Sequence, residues 1–160
     1  MTTAVLCAVR GPAETAVVRG LDGSAELVVS RRCADLAELL AAGAAGLGVV
    51  AVVSADLPGM DREAVHHLHG SGVWVLALSD PRAGWPPDRL QRLGVDAVVP
   101  ADEAVTSVAP AVDRLLDRAG KGDRPGGASS SAGARTAGRT SGPARFEAPA
   151  RPGPAAAPGP

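Results

Sequence analysis

The sequence contains no Ile, Asn or Tyr, and only one Lys, one Phe and two Trp. Its bias toward Ala, Gly, Val, Arg and Pro reflects a GC-rich genome more than any activity. Two cysteines, Cys7 and Cys33, are too few for a disulfide framework. The opening MTTAVLCAVRG lacks a basic start followed by an apolar core, so no signal peptide is expected. No apolar run is long enough for a transmembrane segment, and a cytoplasmic location is expected.

Large apolar residues are also missing from one end. From Lys121 to Pro160 the chain is Gly, Pro, Ala, Ser and Arg, with Phe146 as the single bulky side chain. Such a segment cannot bury enough surface to offset its ordering entropy, so residues 120–160 are expected to form a disordered tail or linker. Residues 1–119 are the right size for one domain with one core. Charge divides at the same place: residues 1–120 carry net −5 and residues 121–160 net +4, which gives the formal −1 of the whole chain. The acidic folded part is a poor candidate for nucleic-acid binding through phosphate contacts. The dispersed Arg residues of the tail fit a solvated tether.

Within the first 119 residues, apolar runs alternate with amphipathic ones. Strands are expected at Thr3–Val9, Ala25–Ser30, Gly48–Ser54, Val73–Ser79 and Asp96–Val99. Between and after them come helices at Ala13–Leu21, Arg31–Leu47, Arg62–Gly70, Asp88–Gly94 and Glu103–Ala119, with Pro12 placed for the first turn of the first helix. Strand and helix in strict alternation imply right-handed crossovers and a doubly wound, five-stranded parallel sheet.

GVVAVVSADLPGMD, Gly48 to Asp61, is the stretch around which the rest is arranged. Val49, Val50, Val52 and Val53 leave no polar face, as befits a central strand covered on both sides. Pro58 and Gly59 stop the strand, and Asp61 can cap the next helix. Ligands of open α/β sheets bind beyond the carboxyl ends of the strands, which makes Ser54, Ala55 and Asp56 the natural place for function.

SADLPGMD resembles the phosphorylation loop of response-regulator receiver domains, which typically read D-L-x-M-P-x-M-D-G. The resemblance implies a flavodoxin-like (βα)5 fold. It puts Ser54, four residues before Pro58, at the phosphoacceptor position, with Asp56 two residues further into the loop. Receivers place two acids after the first strand to bind Mg²⁺; here Val9 and Arg10 stand there, neither of them an oxygen ligand. Ser79 matches the Ser or Thr that ends the fourth strand, whereas Pro100 lacks the preceding Lys. Aspartyl phosphorylation needs a metal to neutralise charge in the transfer, so the resemblance is to a degenerate receiver, or pseudo-receiver.

SRRCADLAELLAAGAAG, VVSADLPGMDREAV and RLGVDAVVPADE are similar to the N-terminal pseudo-receiver of CpaE/TadZ-type ATPases, including the septum-site-determining relatives of actinobacteria. In that family a ParA/MinD-like P-loop ATPase follows in cis. This chain has no G-x-x-x-x-G-K-[ST] segment, and ATP hydrolysis is not expected of it. The resemblance implies a non-catalytic interaction module for localisation or dimerisation in pilus assembly or septum placement, with a protein partner or a homodimer. A second possibility is a switch phosphorylated on Asp56 or binding a small anion at the strand ends.

Other candidates are weaker. His66 and His69 share a helical face but have no acid or Cys close in sequence, so a solvated face is expected and no metal or cofactor is assigned. Cys7 reads as a core thiol, and Cys33, near a helix start, has the placement that lowers a thiol pKa. Trp74 belongs in the core. Trp85, Leu90, Leu93 and Val105 are expected to share a contact surface, because receivers dock partners on the face formed by their fourth helix, fifth strand and fifth helix.

Overall fold

The computed structural model describes residues 1–127, and the elements alternate as the sequence implies. The strands are β1 (Thr3–Ala8), β2 (Leu27–Arg32), β3 (Val50–Ser54), β4 (Trp74–Ser79) and β5 (Ala97–Pro100). The helices are α1 (Pro12–Asp22), α2 (Leu36–Ala44), α3 (Arg62–Gly70), α4 (Pro87–Arg92) and α5 (Ala104–Gly120). All strand pairs are parallel, in the order β2-β1-β3-β4-β5.

Two apolar layers sandwich the sheet. On one face Val17 and Leu21 of α1 and Val108, Val112 and Leu115 of α5 cover Val5, Cys7, Val50, Val52, Trp74 and Leu76. On the other, Leu39 of α2, Val65 and Leu68 of α3 and Leu90 of α4 cover Leu6, Ala8, Ala51, Val53, Val75 and Ala77. Successive residues of a strand point to opposite faces, so a strand buried on both sides can have no polar position; β3 and β4 are buried throughout. Each fully buried Leu contributes about 2 kcal/mol through removal from water.

Where elements begin is set by polar side chains. Asp61 caps α3 as expected, its Oδ1 accepting the Ala64 N–H at 2.8 Å. The start of α2 differs from the expected Arg31, because Arg31 and Arg32 continue β2 and Asp35 caps the helix through the Glu38 N–H at 2.8 Å. Glu38 reaches back to accept the Ala34 N–H at 2.9 Å and pairs with Arg31. Those contacts hold its carboxyl below the usual range, the Ala34 N–H acting most strongly, then Arg31. Leu47 and Val49, expected in helix and strand, lie in the connection between α2 and β3 and are exposed.

Helices α1 and α5 touch backbone to backbone. A Cβ added at Gly20 would lie 2.9 Å from the carbonyl oxygens of Ala104 and Val105, so only glycine permits this approach.

The domain also extends past its expected boundary at residue 119. After α5 the segment Lys121–Gly127 turns back onto the fold, and the Gly126 N–H donates to Asp96 Oδ1 at 2.8 Å. The part of the expected disordered tail beyond residue 127 lies outside the described residues.

Candidate functional site

The carboxyl edge of the sheet is built from the ends of β1, β3, β4 and β5. Ser54 ends β3 and is buried, its Oγ accepting the Arg10 N–H at 3.2 Å and so tying the chain after β1 to the end of β3. The backbone then turns: Leu57 N–H donates to Ser54 O at 3.2 Å, and Met60 N–H to Leu57 O at 3.1 Å. Asp56 stands exposed in this turn, while Leu57 and Met60 anchor it in the core. Ser79, the last residue of β4, is buried and in register with Pro100 of β5.

The edge therefore carries two buried hydroxyls, at Ser54 and Ser79, with exposed carboxylates at Asp56 after β3 and Asp80 after β4. Val9 is buried and Arg10 exposed at the point where β1 ends. Among the described residues, no three His, Cys, Asp or Glu side chains converge on a point where a cation would sit. A hydroxyl that accepts a main-chain N–H here acts as a tie between loops.

The expected contact surface divides. Leu90 is only 1% exposed and packs in the core beneath α4, so it is withdrawn from any surface: α4 is a short helix that must bury its one large apolar residue to be held at all. Trp85 is half-buried against the same layer, doubly hydrogen-bonded through its backbone to Asp80, and roofed by the Arg89 guanidinium 3.8 Å from the ring centre. Leu93 also packs partly against that layer. Val105 is half exposed but belongs to α5, beside Gly20 of α1, on the other side of the sheet. The four residues do not form one face.

Other polar groups depart from expectation as well. His69 is not on a solvated face: its Nε2 lies 2.8 Å from Asp96 Oδ2, and its side chain is 12% exposed against 1% for Asp96. Asp96 Oδ2 also accepts the Val75 N–H at 2.8 Å. One buried carboxylate thereby joins α3, β4 and the segment after α5. Cys33 precedes the cap of α2 and is buried; burial, reinforced by Glu38, raises its thiol pKa, the reverse of the expected lowering. Burial likewise pushes Cys7 up to about 11. The two thiols face opposite layers, although Cys33 N–H donates to Cys7 O at 2.7 Å. Trp74 is buried as expected, with Arg118 4.8 Å above its ring.

Two open clefts lie on the β5 side of the fold. One of about 390 Å³ runs along β5 beside Ser107, Arg114 and Arg118 of α5. The other, about 370 Å³, lies between α3 and α4 and is lined by Arg62, His66, His69 and Arg92.

With this geometry in view, comparison with solved structures returns the receiver fold. The signal receiver domain of NarL from Mycobacterium tuberculosis is similar, with 24% identity over 72% of this chain and 94% of that one, at a TM-score of 0.58. The isolated receiver domain of RcsB from Salmonella enterica serovar Typhimurium matches at 15% identity, 73% and 90% coverage and a TM-score of 0.57. The response-regulator domain of CheB from Thermotoga maritima matches at 14% identity, 71% and 98% coverage and a TM-score of 0.54. No protein-family model and no curated protein matches the sequence. The fold is thus the flavodoxin-like receiver fold, and no helix among the described residues is long and apolar enough to cross a membrane.

Proposed function

We propose that this receiver-fold domain is a non-catalytic interaction module, a pseudo-receiver that works by binding a protein. The observation that carries the reading is Ser54. At the position where the resemblance calls for a phosphorylated Asp stands a buried hydroxyl already engaged by the Arg10 N–H. Val9 and Arg10 supply no oxygen ligand where receivers hold Mg²⁺. With neither the acceptor carboxylate nor acids to hold the metal, the in-line transfer has no means of spreading its charge.

The finer part of the proposal follows the resemblance to CpaE/TadZ-type proteins. The module would localise or dimerise a ParA/MinD-like ATPase acting in pilus assembly or septum placement, and would do so in the cytoplasm. The phrases SRRCADLAELLAAGAAG and RLGVDAVVPADE support that assignment.

Acetyl phosphate with Mg²⁺, followed by intact-mass measurement, tests the first part. No gain in mass is expected. A gain of one phosphoryl group that Asp56→Asn abolishes would replace the reading with a displaced switch, since Asp56 is the exposed carboxylate of that loop. Co-purification with a ParA/MinD-like ATPase from the same genome tests the second part, and failure to associate would remove the ATPase from the proposal.

A further inference from the structure

Among the described residues, the sheet ends on one side at β2, which pairs with β1 alone. Thr3 N–H donates to Glu26 O at 2.6 Å, so Glu26 directs its backbone groups toward β1. Backbone groups of a parallel strand turn alternately to its two sides, which turns those of Leu27 and Val29 outward, with the Leu27 N–H held by Ser24 O at a long 3.5 Å.

The layer above this edge is unfinished. Helix α2 packs on β1 and α3, and Val28 is left 44% exposed. Leu47 is 43% exposed and Val49 44%, and main-chain and Ser30 bonds tie both to the stretch of β1 and β2 that carries Val28. Val28 is the register partner of Ala4, Ala4 O accepts the Val49 N–H at 3.0 Å, and Leu47 O accepts the Ser30 hydroxyl at 2.6 Å. Apart from Met1 and Val105, these are the large hydrophobic residues exposed among those described. An apolar patch beside an unpaired edge strand invites another strand.

We infer that β2 is a self-association edge, which a second copy of this chain covers in antiparallel register centred on Val28. The register follows from the backbone. With Val28 opposite Val28, Leu27 of each copy meets Val29 of the other. Those are the residues with outward groups, and they form two hydrogen-bonded pairs once the Leu27 N–H exchanges its 3.5 Å bond to Ser24 O for one across the pair. Val28 then occupies the intervening non-hydrogen-bonded pair, where side chains approach most closely, with Leu47 and Val49 of both copies alongside.

Charge favours the same occupant. The strand is preceded by Glu26 and ends in Arg31 and Arg32, which face Glu38 and Glu14 of their own chain at exposed positions, and a two-fold axis adds the Glu26 of each copy near the basic end of the other. A contact related by a two-fold must be complementary to itself, and this charge order is. The register shift after Val5 bends β2 at Ser30 and limits the straight pairing to the half that carries Val28. This edge is remote from Ser54, and its use does not depend on the phosphoacceptor reading.

Sedimentation equilibrium of the 160-residue chain, from micromolar to millimolar concentration, tests the inference. A monomer–dimer equilibrium is expected. Val28→Lys should weaken it at least tenfold and Glu26→Arg severalfold, both with unchanged circular dichroism because these side chains are exposed. Amide exchange at Leu27 and Val29 should slow as concentration rises. A wild-type chain that stays monomeric at millimolar concentration overturns the inference. So does a dimer that Val28→Lys leaves intact.

Discussion

His69 and Asp96, 27 residues apart in the chain, meet at 2.8 Å beneath the amino-terminal ends of β4 and β5. The Asp96 carboxylate also receives the Val75 and Gly126 N–H groups, and so holds a strand, a helix and the outgoing chain at one point. An acid with three donors and 1% side-chain exposure is costly to disturb, because its partners lose their acceptor where water cannot replace it.

Asp96→Ala is therefore expected to destabilise the domain by about 2–4 kcal/mol, measured by urea denaturation. Gly126→Ala should act locally. Gly126 has φ 76°, and an added Cβ would fall 2.5 Å from His69 Nδ1, so the segment after α5 must lift. Amide exchange should quicken at Gly126 and stay slow at Val75, which bonds the same carboxylate. Equal loss of protection at both would show that the outgoing segment is integral to the fold.

The approach of α1 to α5 makes a second prediction. Gly→Ala inside a helix ordinarily gains up to about 1 kcal/mol. At Gly20 the new methyl would sit 2.9 Å from two backbone carbonyl oxygens, neither of which can swing aside. Overpacking of this kind costs about 1–3 kcal/mol and should outweigh the propensity gain, lowering the thermal midpoint of Gly20→Ala.

Cys7 gives the pH dependence its sign. Burial raises its pKa from 9.0 to about 11 in the folded chain, so the native state keeps the proton that the unfolded state releases. This contribution is complete below pH 9.0 and is lost as pH rises toward about 11. Stability should fall over that window by on the order of 2 kcal/mol. Cys7→Ala should be weaker at neutral pH, because of the cavity, yet lack the alkaline loss. Glu38 works in the opposite direction: its lowered pKa supports the start of α2 at neutral pH, and that support fades as acid protonates it.

Restoring the acceptor alone should not restore the chemistry. Ser54→Asp places a carboxylate at a site 6% exposed, beside the Arg10 N–H that Ser54 now accepts. A loss of about 1–3 kcal/mol is expected. Acetyl phosphate should leave the variant unmodified, and a phosphorylated Ser54→Asp chain would mean that the metal site survives in other residues.

The sequence made the architecture legible because strands buried on both sides advertise themselves. VVAVVS and VWVLALS have no polar alternation, and neither fits an exposed face. Asp61 before REAV announced its cap for the same local reason. What escaped was everything fixed by distant partners. His69 pairs with an acid that no helical spacing connects to it. Arg31 and Arg32 looked like the start of a helix because a run of Leu and Ala follows, yet the cap at Asp35 decides the boundary. At the carboxyl edge, Ser54 and Ser79 could be placed from strand ends alone. Leu90 was misjudged as surface because a short, mostly polar helix conceals which of its residues must be buried.

The clasp on Gly126 also governs how the domain would bear load. β1 begins at Thr3 and Gly126 bonds to Asp96, and both points lie at the amino-terminal edge of the sheet, opposite Ser54. Tension applied at Gly127 would load the Gly126 bond to the Asp96 carboxylate and peel residues 121–127 away before pulling on α5. The seven residues would then act as a mechanical fuse, yielding slack while the sheet and its carboxyl edge stay undeformed.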